Sequence, residues 1–275
     1  MIDWAEFQRV NSLYLATAGK ALNIGDFNQI AITAHSTRIE GSTLTLNEAS
    51  LLIKDGISTG GKEHYFHDMV IDHHEALKFV LAAAEQKRGI DPPFIKEIAS
   101  HVMHRTGREV HSVLGTTQET SGDFRKVNVT AGSSYFMNYD KVPVSVDVLT
   151  ESLQERIIKV STVEEIHSLA FSAHFDLVNI HPFTDGNGRV SRLLMNYIQA
   201  YHGQPLTVVK AESKVQYIEA LERTRKEESI GPIIEFLALQ HTDWLNNLQQ
   251  KFDLAMKQTE LKKRPGMDMP LSLFF

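Results

Sequence analysis

His181-Pro182-Phe183-Thr184-Asp185-Gly186-Asn187-Gly188-Arg189, with Arg192 three residues further on, gathers the residue types of phosphate chemistry into one short stretch. A histidine can accept a proton near neutral pH. An aspartate can hold a hard cation through oxygen. Glycines on either side of Asn187 let backbone N–H groups approach an anion with no Cβ in the way. The residues after them read as the start of a helix, itself an anion site. Arg189 and Arg192 stand at i and i+3 on that helix, so both guanidinium groups project from one face. The stretch reads as a site for a polyphosphate and a proton transfer.

Working outward, the chain is mostly helical in pattern. The segment from Thr162 to Val178 runs straight into His181, and NGRVSRLLMNYIQAY leads away from it to Gly203. Further upstream, Asp3 to about Ala18 carries Trp4, Phe7, Val10 and Tyr14 at helical spacing. Asp26 is expected to cap a second helix, FNQIAITAHSTRIE, closed by Gly41. Thr45 with Glu48 fits a capping box for a short helix that stops at Gly56. A long helix is expected from Glu63 to about Lys87, ended by Gly89. Asp91-Pro92-Pro93 then opens FIKEIASHVMHR. Between 115 and 143, glycines and a proline punctuate the β-prone pieces KVNVT and SYFMNY, which predicts a single hairpin. Helices resume at about Ser145–Val160, and two more follow Gly203, at about Ser213–Glu228 and Ile233–Lys257. The fold class is therefore mainly α with one β-hairpin. The tail KKRPGMDMPLSLFF reads as loose apart from its apolar end.

Composition narrows the functional classes. The 275 residues are 42% hydrophobic and 23% charged, ordinary for a globular chain. A net charge of −6 gives no electrostatic reason to expect nucleic acid. The absence of cysteine excludes disulfides, thiolate nucleophiles and Cys-based zinc sites. No stretch approaches the ~18 uninterrupted apolar residues of a membrane-spanning helix. MIDWAEFQRV has neither a basic nor an apolar region of the secretory kind, which makes the cytoplasm the expected compartment. Histidines at 64, 67, 73, 74, 101, 104 and 111 read as structural or surface residues, because no carboxylate–His arrangement of known catalytic type accompanies them. Trp244 and Leu248 form a stripe suited to the core or to a dimer interface, so a homodimer stays open.

HPFTDGNGRVSR resembles the signature of the Fic (Fido-fold) family, His-Pro-Phe-x-Asp/Glu-Gly-Asn-Gly-Arg-x-x-Arg, at every specified position. The resemblance implies a compact helical core at residues 63–245 with a β-hairpin flap beside the motif. An N-terminal helical region at 1–62 would precede it, and a helix end and tail at 246–275 would follow. It also implies an activity: transfer of a nucleotide monophosphate, usually AMP from ATP, onto a Ser, Thr or Tyr hydroxyl of a target protein, the chain itself included. On that reading His181 is the general base and Asp185 holds Mg²⁺. N–H groups around Gly186, Asn187 and Gly188 cradle the phosphates, and Asn187 can add a side-chain donor. Arg189 neutralises the β-phosphate side and Arg192 takes the γ-phosphate. GDFRKVNVTAGSSYFMNYDKVP resembles the family's flap, whose edge aligns a target peptide; here that edge is Val129, Thr130, Ala131, Gly132, Ser133, Ser134, Tyr135 and Phe136. Many relatives carry consecutive prolines where this chain has Phe136-Met137-Asn138-Tyr139.

Ser36-Thr37-Arg38-Ile39-Glu40-Gly41 resembles the family's inhibitory motif, Ser/Thr-x-x-x-Glu-Gly/Asn, here at the end of the expected helix at about 26–41. The resemblance implies that Glu40 pairs with Arg192 and occupies the donors meant for the γ-phosphate. A carboxylate at a helix C-terminus meets the unfavourable end of the dipole, which fits a specific cationic partner. Three alternatives share the same residues: another nucleotide donor, removal of AMP, or a catalytically idle nucleotide-binding module.

Overall fold

The structure is a computed structural model that describes residues 2–262 apart from Leu22, Gly132 and Ser133; the expected tail at 263–275 lies outside the described residues. Ten α-helices and two short hairpins make up the described chain. In order they are α1 (Trp4–Ala16), α2 (Ile24–Ile39), α3 (Leu46–Asp55), α4 (His64–Glu85), α5 (Pro92–Val102), β1 (Glu109–Ser112), β2 (Gly115–Gln118), β3 (Thr130–Ala131), β4 (Ser134–Tyr135), α6 (Val142–Ile157), α7 (Val163–Ile180), α8 (Asn187–Tyr201), α9 (Lys214–Glu227) and α10 (Gly231–Lys262).

Side-chain caps set four of the helix starts. Asp3 accepts from the Glu6 N–H, and Asp91 from that of Phe94 beside the two prolines. Full capping boxes form at Thr45–Glu48 and at Thr162–Glu165. Three boundaries differ from the sequence expectation. α2 begins at Ile24 behind Asn23 in the left-handed conformation, so Asp26 falls in the first turn, where it faces the positive end of the dipole rather than capping. α4 ends at Glu85 with Lys87, not Gly89, at positive φ. α5 stops at Val102, because the next residues turn back to meet α4.

The core is built on α8, which is buried at every position from Arg189 to Gln199. α4, α5 and α7 pack directly on it, with Phe94, Leu77, Phe171 and Tyr197 fully buried between them. Each such apolar side chain contributes roughly 1.5–3 kcal/mol relative to an exposed one. The N-terminal helices join the same core: Phe7 and Val10 of α1 and Phe27 of α2 cluster with Leu237, Trp244 and Leu248 of α10. Trp244 stacks on Phe27 at 6.0 Å and donates to Asn28, so the Trp244–Leu248 stripe faces this core. α2 is thereby held across the top of α4 and α8, with its C-terminal end over the start of α8.

The flap hairpin lies within the expected segment, but its strands are only two residues long, pairing Thr130 with Tyr135 and Ala131 with Ser134. Residues 126–129 and 136–138 are irregular instead of extended strand. Of the expected docking edge, Gly132 and Ser133 lie outside the described residues. A further hairpin, β1 with β2, adds to the single one expected; Glu109 pairs with Gln118 and Ser112 with Gly115 across a turn at Val113-Leu114. Its alternation is masked by polar residues on an exposed face, and Gly115 at φ 109° makes the turn possible.

Candidate active site

α7 delivers His181 and α8 leaves with Arg189 and Arg192, so the loop between them sets the geometry. His181 ends α7 in the left-handed conformation at φ 54°, ψ 59°, a region that disfavours non-glycine residues by roughly 1–2 kcal/mol. Arg125 holds that strain in place. Its N–H donates to Pro182 O (2.9 Å) and its Nε to His181 O (2.8 Å). The same guanidinium reaches Val127 O and Met137 O, binding the loop to both sides of the flap. Arg125 is 2% exposed, and burial pushes its pKa down.

Asn187 closes the loop. Its Oδ1 accepts from the Phe183 N–H at 2.9 Å and its Nδ2 donates to Phe183 O at 2.8 Å. Those bonds fix the amide inside the loop and use one of the two Nδ2 hydrogens; the backbone N–H lies in the first turn of α8, where no intrahelical partner exists. Phe183 is 3% exposed and packs near Phe124. Gly186 sits at φ 83° against Met103, whose Sδ would meet an added Cβ at 3.1 Å. Thr184 donates to Glu119 Oε1 at 2.7 Å, and Glu119 Oε2 takes the Arg108 N–H.

His181 Nδ1 lies 3.2 Å from Val178 O; as the donor there, it leaves Nε2 for a substrate. Burial, reinforced by the charges of Arg125 and Arg225, pushes the imidazole pKa down to about 4 despite the Val178 carbonyl and Glu40. A neutral imidazole at pH 7 can accept a proton.

The two motif arginines are both buried, at 1% and 3% exposure. Arg189 Nη2 lies 3.3 Å from Asp185 Oδ1 and 3.4 Å from Met103 Sδ, and Nη1 lies 3.5 Å from Val102 O. Its Nε has no hydrogen-bond partner. Such a buried, loosely held cation has donor capacity left for an anion. Arg192 is better satisfied. Nε donates to Ser36 Oγ at 2.9 Å, and Nη2 donates to Ser36 O at 3.1 Å and Glu40 Oε1 at 2.6 Å. Nη1 lies 3.5 Å from the Tyr217 hydroxyl.

The Glu40 carboxylate also covers the start of α8: a Cβ on Gly188 would come within 2.5 Å of Glu40 Oε1. Burial works to raise the Glu40 pKa, but the charges of Arg192 and Arg189 and the Arg192 hydrogen bond hold it below the usual carboxylate range. Gly41, at φ 105°, reverses the chain directly behind it, with Ser42 N bonded to Thr37 O. A carboxylate of this chain therefore stands against the α8 N-terminus, where backbone N–H groups have no intrahelical partner.

His181, Gly188, Arg192 and Glu40 meet in one cavity of about 310 Å³, also lined by Ile39, Phe136, Val178, Lys214, Tyr217, Ile218, Leu221, Glu222 and Arg225; Arg189 and Asp185 are not part of its lining. It has a cationic end and an apolar wall, as a nucleotide-sized ligand with phosphates requires. Asp185 stands at the loop mouth with its side chain about half exposed. Among the described residues no cluster of three His or carboxylate side chains could hold a metal alone. A single accessible carboxylate suits a cation that takes its remaining oxygens from water and substrate phosphates.

Sequence reading assigned no role to Arg125, Glu119 or the α9 residues Lys214, Tyr217 and Arg225. The GDFR lead-in was visible as part of the flap pattern, but the reach of Arg125 to His181 O spans 56 residues. The α9 positions have helical spacing that any amphipathic helix shares. No helix among the described residues is long and apolar enough to cross a membrane.

Residues 89–199 match the sequence profile of the Fic/DOC family. Among curated proteins, "Protein adenylyltransferase Fic" of Drosophila erecta is 30% identical over 206 residues, covering 74% of this chain and 38% of that protein. The chain thus spans about two fifths of the length of such relatives. A Fic-domain signaling protein from Bacteroides thetaiotaomicron superposes with a TM-score of 0.73 at 19% identity, over 88% of this chain and 95% of its own. Fic-1 from C. elegans gives 0.73 at 22% identity, over 94% and 73%. Motif and sequence profile agree that residues 89–199 match the Fic/DOC family, and the chain as described shares the fold of Fic-domain structures.

Proposed function

We propose that this chain is a protein adenylyltransferase held in check by its own Glu40. His181 Nε2 takes the proton of a Ser, Thr or Tyr hydroxyl on the target protein. That oxygen bonds to the α-phosphorus of ATP while the bond from the α-phosphorus to the bridging oxygen breaks, and pyrophosphate leaves. Backbone N–H groups of Asn187 and Gly188 orient the phosphates, Arg189 offsets charge on the leaving group, and Arg192 receives the γ-phosphate. Asp185 would hold Mg²⁺, which supplies charge neutralisation on the phosphates. The flap edge would align the target by strand pairing.

The observation that carries this reading is the shared cavity: a neutral His181 faces the same space as Arg192, whose guanidinium is occupied by Glu40. A carboxylate in that position excludes the γ-phosphate and leaves the triphosphate out of line for attack. The names of the curated relatives support the AMP-transfer reading over an idle binding module. The test uses α-labelled ATP with Mg²⁺ and a lysate as the source of acceptors. Glu40→Gly should label proteins strongly, and Glu40→Gly combined with His181→Ala should lose at least ~10²-fold while still binding ATP. Equal labelling with and without His181 would sink the assignment of the base.

A further inference from the structure

The ring that covers His181 has no counterpart in the chemistry assigned so far. Phe136 leaves β4 and stacks on the imidazole, with ring centroids 3.8 Å apart and planes 14° from parallel. The backbone next to it is fixed, because Met137 O accepts from Arg125 Nη2 at 2.6 Å. The same guanidinium binds His181 O through Nε, so one side chain sets both the flap and the base. On the far side of the cavity the Arg225 guanidinium stands 5.5 Å from the Phe136 ring centre, with Nε bonded to Asn179 Oδ1.

His181 itself has one ring anchor, the 3.2 Å contact of Nδ1 with Val178 O. A single hydrogen bond leaves an imidazole free to tilt and swing about that contact. A parallel ring in van der Waals contact removes that freedom and keeps water from one face. General-base catalysis needs Nε2 within hydrogen-bond reach of the hydroxyl it deprotonates, so such a clamp acts on the rate directly.

We propose that Phe136 is a positioning residue for His181, clamping the imidazole so that Nε2 stays presented to the cavity. The proposal rests, for its effect on rate, on the adenylyltransferase reading. It gives a role to the place where this chain departs from the proline-containing flap that its family resemblance implies. The charged groups that face the imidazole are Arg125 before the flap, Arg225 on α9 and Glu40 at the end of α2; burial by Phe136 adds to the two cations in disfavouring the protonated ring.

The experiment uses the full chain carrying Glu40→Gly, with Phe136→Leu and Phe136→Tyr added separately. Ring NMR follows the titration of His181, whose signal is identified by its loss in His181→Ala. AMP transfer is measured in parallel as kcat and as KM for ATP. With Phe136→Leu, the His181 midpoint should climb from its depressed position towards the ordinary imidazole range, and kcat should fall ~10-fold or more with KM for ATP unchanged. Phe136→Tyr, which keeps the ring, should restore both. Unchanged titration and kcat in Phe136→Leu would overturn the proposal, as would a rise in kcat, which would make the ring an obstruction. The NMR arm needs no turnover. A shifted midpoint in a chain that transfers nothing would support the clamp and reject the activity.

Discussion

Removing the Glu40 carboxylate tests the proposed control of this site most sharply. Glu40 Oε1 lies 2.6 Å from Arg192 Nη2, and the arginine side chain is 4% exposed. Unit charges about 4 Å apart in an effective dielectric of about 20 attract by about 4 kcal/mol. A third of the Glu40 side chain is open to the cavity. Solvent screening on that side reduces the useful figure to ~2–3 kcal/mol. A γ-phosphate that competes for Arg192 must overcome that amount, so Glu40→Gly should raise AMP transfer by ~30- to 150-fold. Glu40→Gln removes the charge but keeps an acceptor and should fall between. Both changes leave Arg192 buried with the Ser36 and Tyr217 oxygens but no counter-charge, so the melting midpoint should drop by ~5 °C. Initial rates with α-labelled ATP at matched acceptor concentration give the first figure, and thermal unfolding gives the second. A Glu40→Gly chain that melts lower, binds ATP as the parent does and transfers no more AMP would refute the reasoning.

The pair also has a pH signature. Because the Glu40 pKa is lowered from 4.5, its contribution is full above that value and is lost as pH falls through the lowered one. The difference in melting midpoint between the parent and Glu40→Gln should hold constant from neutral pH to about 5 and then close. Buried histidines act in a different window. Burial pushes His35 and His167 down to about 4 and His174 to about 3, so the unfolded chain takes up protons below 6.5 that the folded chain refuses. Each contributes stability that is complete above pH 6.5 and is lost at ~1.4 kcal/mol per pH unit as acid is added; a melting midpoint that stayed flat between pH 6.5 and 5 would contradict their burial. Arg125→Lys keeps a charge but loses the fork that joins the motif loop to the flap, and it should destabilise the fold by ~2–4 kcal/mol in urea titration.

Much of the site was legible because its residues are close in sequence and obey local rules. His181 to Arg192 occupy one helix–loop–helix junction, where glycines, a helix start and i, i+3 spacing specify which groups face together. The capping boxes at Thr45 and Thr162 are likewise local, since their partners lie three residues away. The hairpins were less legible. Strands of two to four residues with exposed polar faces carry little period-2 signal, so β1–β2 was absent from the expectation and the flap was drawn too long.

From the sequence alone come the helical class, the residue types gathered at the loop and, through family resemblance, the pairing of Glu40 with Arg192 that the structure contains. Only the tertiary structure decides what those residues touch. It turns the Asn187 side chain inward as a clasp, because its amide matches the two backbone groups of Phe183. It brings Arg125 to His181 and lays Phe136 on the imidazole, contacts made across 56 and 45 residues of chain. Periodicity reports which face of an element is apolar, and it carries no information about which distant element will cover that face. That choice belongs to packing, which is why the loop could be read from its own residues and its cover could not.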